Sequence, residues 1–341
     1  MKRCVSVVSA DFETTVILIE NTRVAADLFG TDNPSRRYRE LAMVVHPDRA
    51  PTGRKAEATR VFARLSELWA NRTVTITSKV GTYTVGERLS TDALVQYLAG
   101  RDHTDVILKI ARSPVDNDLL RREYENLTTV RLATEDKFSP YLPELVDSFP
   151  YRDTATGADR HVNVFTAMPN LYSLTSIRKA FPDGLDGRHV AWIWRRLLVA
   201  IGISHKAGVV HGAVVPDHVL IEPDQHGLVL SNWCYSAHGA QRVPALVDGY
   251  RGWYPEVVVR KQVPTSSVDV VMATRSVLSL LEIDAPKSLY AFGQRCLGFS
   301  KANGAWELLS ELDKILEQTY GKRKFVEFPS ARGTAVPWPA I

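Results

Sequence analysis

Apolar residues recur at Tyr38, Leu41, Ala42 and Val45. That is the i, i+3, i+4, i+7 spacing of one helix face, and it predicts a helix opening at Asn33-Pro34. Asparagine suits an N-cap, and proline has its φ preset for the first helical turn. The run HPDRAPTG, His46 to Gly53, holds two prolines and a glycine and must end that helix. A second apolar face follows in Val61, Phe62, Leu65, Leu68 and Trp69. Two amphipathic helices joined by a short polar loop are expected to fold back as an antiparallel hairpin. Upstream, Val24 to Gly30 supplies a short helix to close this core. The rest of the segment before Asn33 reads as short and irregular, and no fourth helix is evident after Arg72.

From Tyr83 the period changes. TYTVGERLS, DALVQYLAG and DVILKIA are short runs rich in β-branched and aromatic residues, separated by polar turns, and predict an antiparallel meander. A helix is expected over roughly Asp116 to Leu132, then strand-like pieces around Tyr141 to Tyr151 and His161 to Met168. Beyond Arg188 the pattern is mostly helical, interrupted by GVVHGAVVPDHVLI and LVLSNWCYS. A sheet-rich lobe followed by a helix-rich lobe is an α+β arrangement.

Charge sharpens the division. The chain of 341 residues carries a formal net charge of +4, 42 basic against 38 acidic. Between Asn33 and Arg72 nine basic residues face four acidic ones, so this short stretch holds +5 and the remainder −1. A basic patch on a small unit implies an acidic partner for it. The three cysteines, Cys4, Cys234 and Cys296, are odd in number and widely spaced, which fits neither a paired disulfide framework nor a metal cluster. A reducing cytoplasm is the expected compartment. The start MKRCVSVVSADFETT has no long apolar run or cleavage-site pattern, and no stretch reaches the ~20 apolar residues of a membrane helix.

A basic helix, the tripeptide His46-Pro47-Asp48 in the following turn, and a second helix carrying Phe62 and Leu65 resemble the J-domain of DnaJ-type co-chaperones. Placement between two helices, rather than the three letters alone, carries the resemblance. It implies that His46, Pro47 and Asp48 trigger ATP hydrolysis by a DnaK-class chaperone, with Arg36, Arg37 and Arg39 as a docking face. Pro47 fixes its own φ and biases His46 to an extended shape, so the turn is presented stiffly. The residues alone leave open a generic helical hairpin or a small nucleic-acid-binding one.

From Tyr83 to Tyr320 the landmarks resemble, in order, a protein kinase catalytic domain. VILKIA resembles the strand bearing the ATP-gripping lysine, here Lys109, and LRREYENL the helix whose glutamate pairs with it, here Glu123. SHKAGVVHGAVVPDHVLI resembles the catalytic loop and LVLSNWC the metal-binding segment. WYPEV, with Pro255 and Glu256, resembles the end of the activation segment, and SVDVVMA the next helix, with Asp269. Six short matches in order argue for the fold.

Function has to be read at the site. Phosphoryl transfer needs metal ligands and a residue to orient the nucleophile. The resemblance puts Ala213 where the catalytic aspartate belongs, Val215 at the loop lysine, His218 at the metal-binding asparagine and Asn232 at the metal-binding aspartate. Alanine cannot accept a proton, and a neutral amide is a poor ligand for a hard cation. GERLSTDALVQ keeps Gly86 but no later glycine through which backbone amides could approach phosphate. These departures imply a pseudokinase with no catalytic residue and no metal site. Lys109 and Glu123 either tie strand to helix or hold residual ATP without catalysis. Asp217 beside His218 is no evidence of a displaced base, His211 and His218 read as satisfied loop histidines, and Cys234 reads as a buried apolar group.

The expected organisation is a small all-α J-domain-like unit over 1–72, a strand-like junction over 73–82, a two-lobed kinase-like domain over 83–320 and an extended tail over 321–341 with Pro337, Trp338 and Pro339. The expected function is a non-enzymatic co-chaperone. Its partners would be a DnaK-class chaperone and a protein client, with neither nucleic acid nor membrane. The alternatives are an atypical ATP-dependent transferase with rearranged residues, and an adaptor without chaperone contact.

Overall fold

A computed structural model describes residues 11–22, 25–29, 34–70, 74–91, 94–153, 157–298 and 304–329. The chain divides into two compact units, Met1–Gly86 with Pro150–Arg160, and Glu87–Phe149 with His161–Ile341. The division falls at Gly86, inside the strand Thr82–Thr91.

The first unit contains α1 (Phe12–Asn21), α2 (Ala25–Phe29), α3 (Pro34–Val45) and α4 (Lys55–Ala70), followed by β1 (Val74–Thr77) and the start of β2 (Thr82–Thr91). Helices α2, α3 and α4 stand where the apolar spacing predicts them. Asn33, expected as the N-cap of α3, lies outside the described residues, as do Arg72 and Cys4. Helix α1 overturns the expectation of an irregular opening. Its run TTVILI is rich in β-branched residues, whose helix propensity is modest, but the Asp11 carboxylate accepts the Thr14 N–H at 2.7 Å and caps the first turn. Phe12, Val16 and Ile19, at i, i+4 and i+7, then face one core. Burial decides over propensity. That core joins Val16, Ile19, Leu28, Leu41, Val45, Val61 and Leu65. Beside it, Trp69 stacks on Tyr38 with 4.6 Å between centroids and meets Phe29 edge-on at 5.2 Å.

The stretch expected as a junction is a hairpin in its described part. β1 pairs antiparallel with β2 from Val74↔Val85 to Thr77↔Thr82. Ser78 Oγ accepts the Val80 and Gly81 N–H groups and closes the turn.

The larger unit begins with β3 (Leu94–Arg101), β4 (Thr104–Ala111), α5 (Asn117–Leu132), β5 (Leu145–Asp153) and β6 (Ala158–Thr166). The sheet order is β2-β3-β4-β6-β5. β3 and β4 pair antiparallel from Leu94↔Ala111 to Arg101↔Thr104. Asp102 and His103 both take positive φ, 48° and 65°, which matches the right-handed twist of a tight hairpin.

Helices dominate thereafter: β7 (Tyr172–Ser173), α6 (Leu174–Ala180), α7 (Gly187–Lys206), β8 (Val209–Val210), β9 (Val219–Glu222), β10 (Gly227–Leu230), β11 (Ala237–His238), α8 (Glu256–Val259), α9 (Ser267–Leu278), α10 (Lys287–Leu297) and α11 (Ala305–Tyr320). The sheet-rich then helix-rich order is the expected α+β arrangement. Helix α7 is the spine of this core, with Ile193, Trp194, Leu197 and Ile201 buried and Trp194 packed on Phe292 at 4.8 Å. Gly202 is required where α11 crosses, because a Cβ there would come within 2.8 Å of the Trp306 ring.

After α11, residues 321–329 have no regular structure. They are pinned by rings: Phe325 stacks on His226 at 4.3 Å, and His226 on Trp192 at 4.3 Å. His226 Nε2 donates to the Val326 carbonyl at 2.9 Å. Pro337, Trp338 and Pro339 lie outside the described residues. Among the described residues no helix is long and apolar enough to cross a membrane.

Candidate functional site

In the first unit, Pro47–Arg49 form a single 3-10 turn between α3 and α4. His46 precedes it in extended backbone, φ −63° and ψ 131°, as a residue before proline should. Its Nδ1 accepts the Asp48 N–H at 3.2 Å, which leaves Nε2 as the protonated nitrogen. The ring lies edge-on to Phe62 at 5.4 Å, so α4 orients the imidazole from below. The Asp48 side chain is 76% exposed, with Lys55 at 4.0 Å as its cation. On α3, Glu40 is shared by Arg36 at 2.9 Å and Arg37 at 3.6 Å, and Arg39 donates to the Ser35 carbonyl. Arg36 holds the Glu40 carboxyl below its ordinary range. Three arginines against one glutamate leave this face positive.

In the larger unit, Lys109 on β4 and Glu123 on α5 meet at 2.7 Å with side chains 3% and 1% exposed. A third member joins them, since Lys109 Nζ donates to Asn232 Oδ1 at 2.6 Å. Asn232 sits in left-handed backbone, φ 61° and ψ 53°, which asparagine tolerates better than most residues. A fourth is Asn163 on β6, which the sequence reading missed. Its amide donates to Glu123 Oε2 at 3.0 Å and to the Leu120 carbonyl at 2.9 Å. Ser148 Oγ donates to Asn163 Oδ1 at 2.8 Å and meets His161 Nε2 at 2.9 Å. The one clue in the sequence is a polar residue inside the apolar run HVNVF. Lys109 Nζ and both Glu123 carboxylate oxygens are thus engaged by protein groups, while Gln96 Oε1, on the residue opposite Lys109 in β3, is buried with no hydrogen-bond partner among the described residues.

The loop Val210 to Asp217 is built around Asp269 of α9, which is fully buried. Its carboxylate accepts N–H groups from His211 at 2.7 Å and Gly212 at 2.8 Å, and the His205 ring at 2.9 Å. Gly212 has φ 73°, and a Cβ would approach the Tyr235 carbonyl to 2.8 Å, so only glycine fits without strain.

His211 Nε2 faces the Ser231 carbonyl at 2.8 Å and must donate, while Nδ1 accepts the Ala213 N–H. That pattern needs a neutral ring, and burial holds its pKa below the ordinary value. His218 Nδ1 likewise donates to the Ala213 carbonyl at 2.8 Å, and burial depresses its pKa to about 3. Ala213 and Val215 are fully buried. Asp217 accepts from the Tyr250 hydroxyl at 2.7 Å, and burial, then that bond, push the phenol up to about 12. Trp233 is buried against His211, and burial pushes the Cys234 thiol up.

Lys109, Glu123 and Asn232 thus form one cluster, and Ala213, Val215 and His218 form the buried loop near His211. The stretch from Gly86 to Gln96 straddles the division between units, and residues 92–93 lie outside the described residues. Among the described residues no cluster of three or more His, Cys, Asp or Glu could hold a metal. At the positions that the resemblance assigns to metal ligands stand a neutral imidazole and an amide.

A sheet carrying a buried lysine, one helix supplying its glutamate, and a helical lobe with an aspartate-caged loop define a protein kinase fold. Among solved structures the chain is similar to that of vaccinia related kinase 3, with a TM-score of 0.56 and 15% identity, over 72% of this chain and 91% of that one. No family model and no curated protein sequence matches the chain.

Proposed function

We propose that this chain is a J-domain-type co-chaperone that docks on a DnaK-class chaperone and stimulates its ATPase, its kinase-like unit serving as a catalytically inactive scaffold for a protein client or partner. The observation that carries the reading is the exposed His46-Pro47-Asp48 turn, propped on Phe62 and flanked by the arginines of α3. Guanidinium groups pair bidentately with carboxylates and raise association rates, as docking on an acidic chaperone surface requires. Inactivity of the larger unit is supported by Ala213 and Val215 being sealed apolar positions and by Asn232 being engaged with Lys109. A cytoplasmic location goes with this reading, supported by the free, buried thiols of Cys234 and Cys296.

The test is steady-state ATP hydrolysis by a DnaK-class chaperone with the intact chain and with His46→Gln. Stimulation by the wild type, lost in the variant, is the expected result. Equal stimulation removes the J-domain reading and leaves an adaptor.

The intact Lys109–Glu123 pair favours a second reading, nucleotide binding with atypical transfer. Turnover of labelled Mg-ATP that disappears in Lys109→Ala would establish it over the first.

A further inference from the structure

In the larger unit a groove of about 1080 Å³ runs between α5 and the segment from Tyr235 to Lys261. Its apolar side is made by Leu119 and Val258, both buried, with Val243 and Leu246 half-buried beside them. Its charged lining comprises Arg112, Arg122, Arg242, Arg251 and Lys261 against Asp118 and Asp248, five minus two, or +3.

These cations are not equivalent. Arg122 is structural: its Nη1 donates to Gln241 Oε1 at 3.1 Å and to the Arg242 carbonyl at 3.2 Å, strapping the segment to α5. Arg251 is neutralised by Asp248 at 3.6 Å. Arg112, Arg242 and Lys261 are exposed and have no ion pair among the described residues. Asp118, in the first turn of α5, is the one lining carboxylate without one.

Lys261 stands out by its backbone. It takes φ 54° at the end of α8, and its N–H bonds the Val258 carbonyl at 2.8 Å while the Gln262 N–H bonds that of Val257 at 3.0 Å. That is a Schellman cap, whose left-handed residue is usually glycine. A lysine there is held in a costly conformation at the rim of a cationic groove, and such outliers point to function.

We propose that this groove docks an extended acidic segment of a partner protein. Its anionic side chains would meet Arg112, Arg242 and Lys261, and its apolar side chains would rest on Leu119 and Val258. The volume lies at or above the upper end of small-molecule pockets, roughly 300–1,000 Å³, which fits a peptide better than a metabolite. Apolar residues share the lining with the cations and Tyr235 is the one aromatic in it, whereas single-stranded nucleic acid needs stacking platforms. The proposal deepens the scaffold half of the functional reading and rests on it, but not on the His46 turn.

The experiment is fluorescence anisotropy of the intact chain with a labelled peptide of about eight residues alternating Asp and Leu. A second probe replaces two Asp with phosphoserine, a third replaces Asp with Lys, and a fourth is a labelled oligothymidylate of similar length. Both acidic probes are expected to bind and the lysine probe not. Binding should weaken steeply as salt rises from about 0.05 to 0.5 M. Arg242→Glu with Lys261→Glu should lower affinity at least about tenfold, whereas Lys314→Glu, an exposed cation on α11, should leave it unchanged. Thermal melts of both variants confirm folding. Tighter binding of the phosphoserine probe would assign a phosphorylated partner, and equal binding a carboxylate-rich one. Affinity unmoved by the double charge reversal, absence of acidic-peptide binding, or oligothymidylate binding that the reversal abolishes would each overturn the proposal. None of these outcomes bears on chaperone stimulation, and turnover of Mg-ATP would overturn the scaffold reading without touching the peptide titrations.

Discussion

Lys109 Nζ donates to Asn232 Oδ1 at 2.6 Å, across 123 residues of sequence, while its other partner is the carboxylate of Glu123 at 2.7 Å. The cluster is balanced as a closed unit: one cation, one anion and two amides, the second being Asn163. An amide at 232 satisfies the ammonium without adding a second anion beside the buried Glu123 carboxylate.

This closure makes the pair sensitive to halving. Lys109→Met leaves the Glu123 carboxylate buried with Asn163 as its remaining donor among the named partners. The expected loss is about 3–5 kcal/mol in urea unfolding, because an uncompensated buried charge is worse than none. Adding Glu123→Gln should recover most of that loss, since the introduced amide oxygen is neutral and still accepts from the Asn163 amide. A double variant no better than the single one would show that the lysine matters through packing alone.

Acid should weaken the larger unit through its histidines. His218 has an ordinary value near 6.5 when unfolded and about 3 when folded, so the unfolded chain binds its proton first. The contribution is therefore full above pH 6.5 and is lost as pH falls towards 3, by roughly 1.4 kcal/mol per pH unit. His211, His189 and His226 are also shifted down by burial and act in the same direction. His218→Asn, which keeps a donor for the Ala213 carbonyl, should flatten the dependence between pH 6.5 and 5 by about 2 kcal/mol. Unfolding titrations at several pH values measure it, and an unchanged slope would mean the imidazole protonates within the fold.

Much of this molecule is readable from periodicity, and the misses share one cause. Helices α3 and α4 and the β3–β4 hairpin follow from apolar spacing, because each buries one face and local pattern reports that directly. Helix α1 does not, since its β-branched run favours strand and only a distant core with Leu65 and Val45 makes burial outweigh that. Lys109 and Glu123 stand out in sequence, but Asn163 joins them only because β4 pairs with β6 at Lys109↔Asn163. The cationic groove is invisible for the same reason: Arg112, Arg242 and Lys261 lie far apart in the chain, and tertiary structure alone brings them to one lining.

The tail is expected to stay down through rings. Phe325, His226 and Trp192 form a continuous stack with 4.3 Å between successive centroids. Phe325→Ala removes one stacking pair, worth about 0.5–1.5 kcal/mol beyond its burial. Limited trypsin digestion should then cut at Lys322, Arg323 and Lys324 several-fold faster, with the rest of the unit unchanged. Equal cutting rates would locate the anchor elsewhere, in the Phe328 contacts with Phe181 and His189.

The His46 turn should separate function from folding. Asp48 is mostly exposed and His46 half-exposed, and neither side chain belongs to the core of the first unit. His46→Gln and Asp48→Asn should thus change unfolding free energy by no more than about 0.5 kcal/mol, the usual range for surface substitutions. Leu65→Ala, at a fully buried position of α4, should cost about 2–5 kcal/mol. Circular dichroism and urea unfolding give both numbers. If the two turn variants melt like the wild type while chaperone stimulation falls, the turn acts by contact with a partner. Were they to destabilise the unit as Leu65→Ala does, lost stimulation would report unfolding, and the turn would be a structural element rather than a trigger.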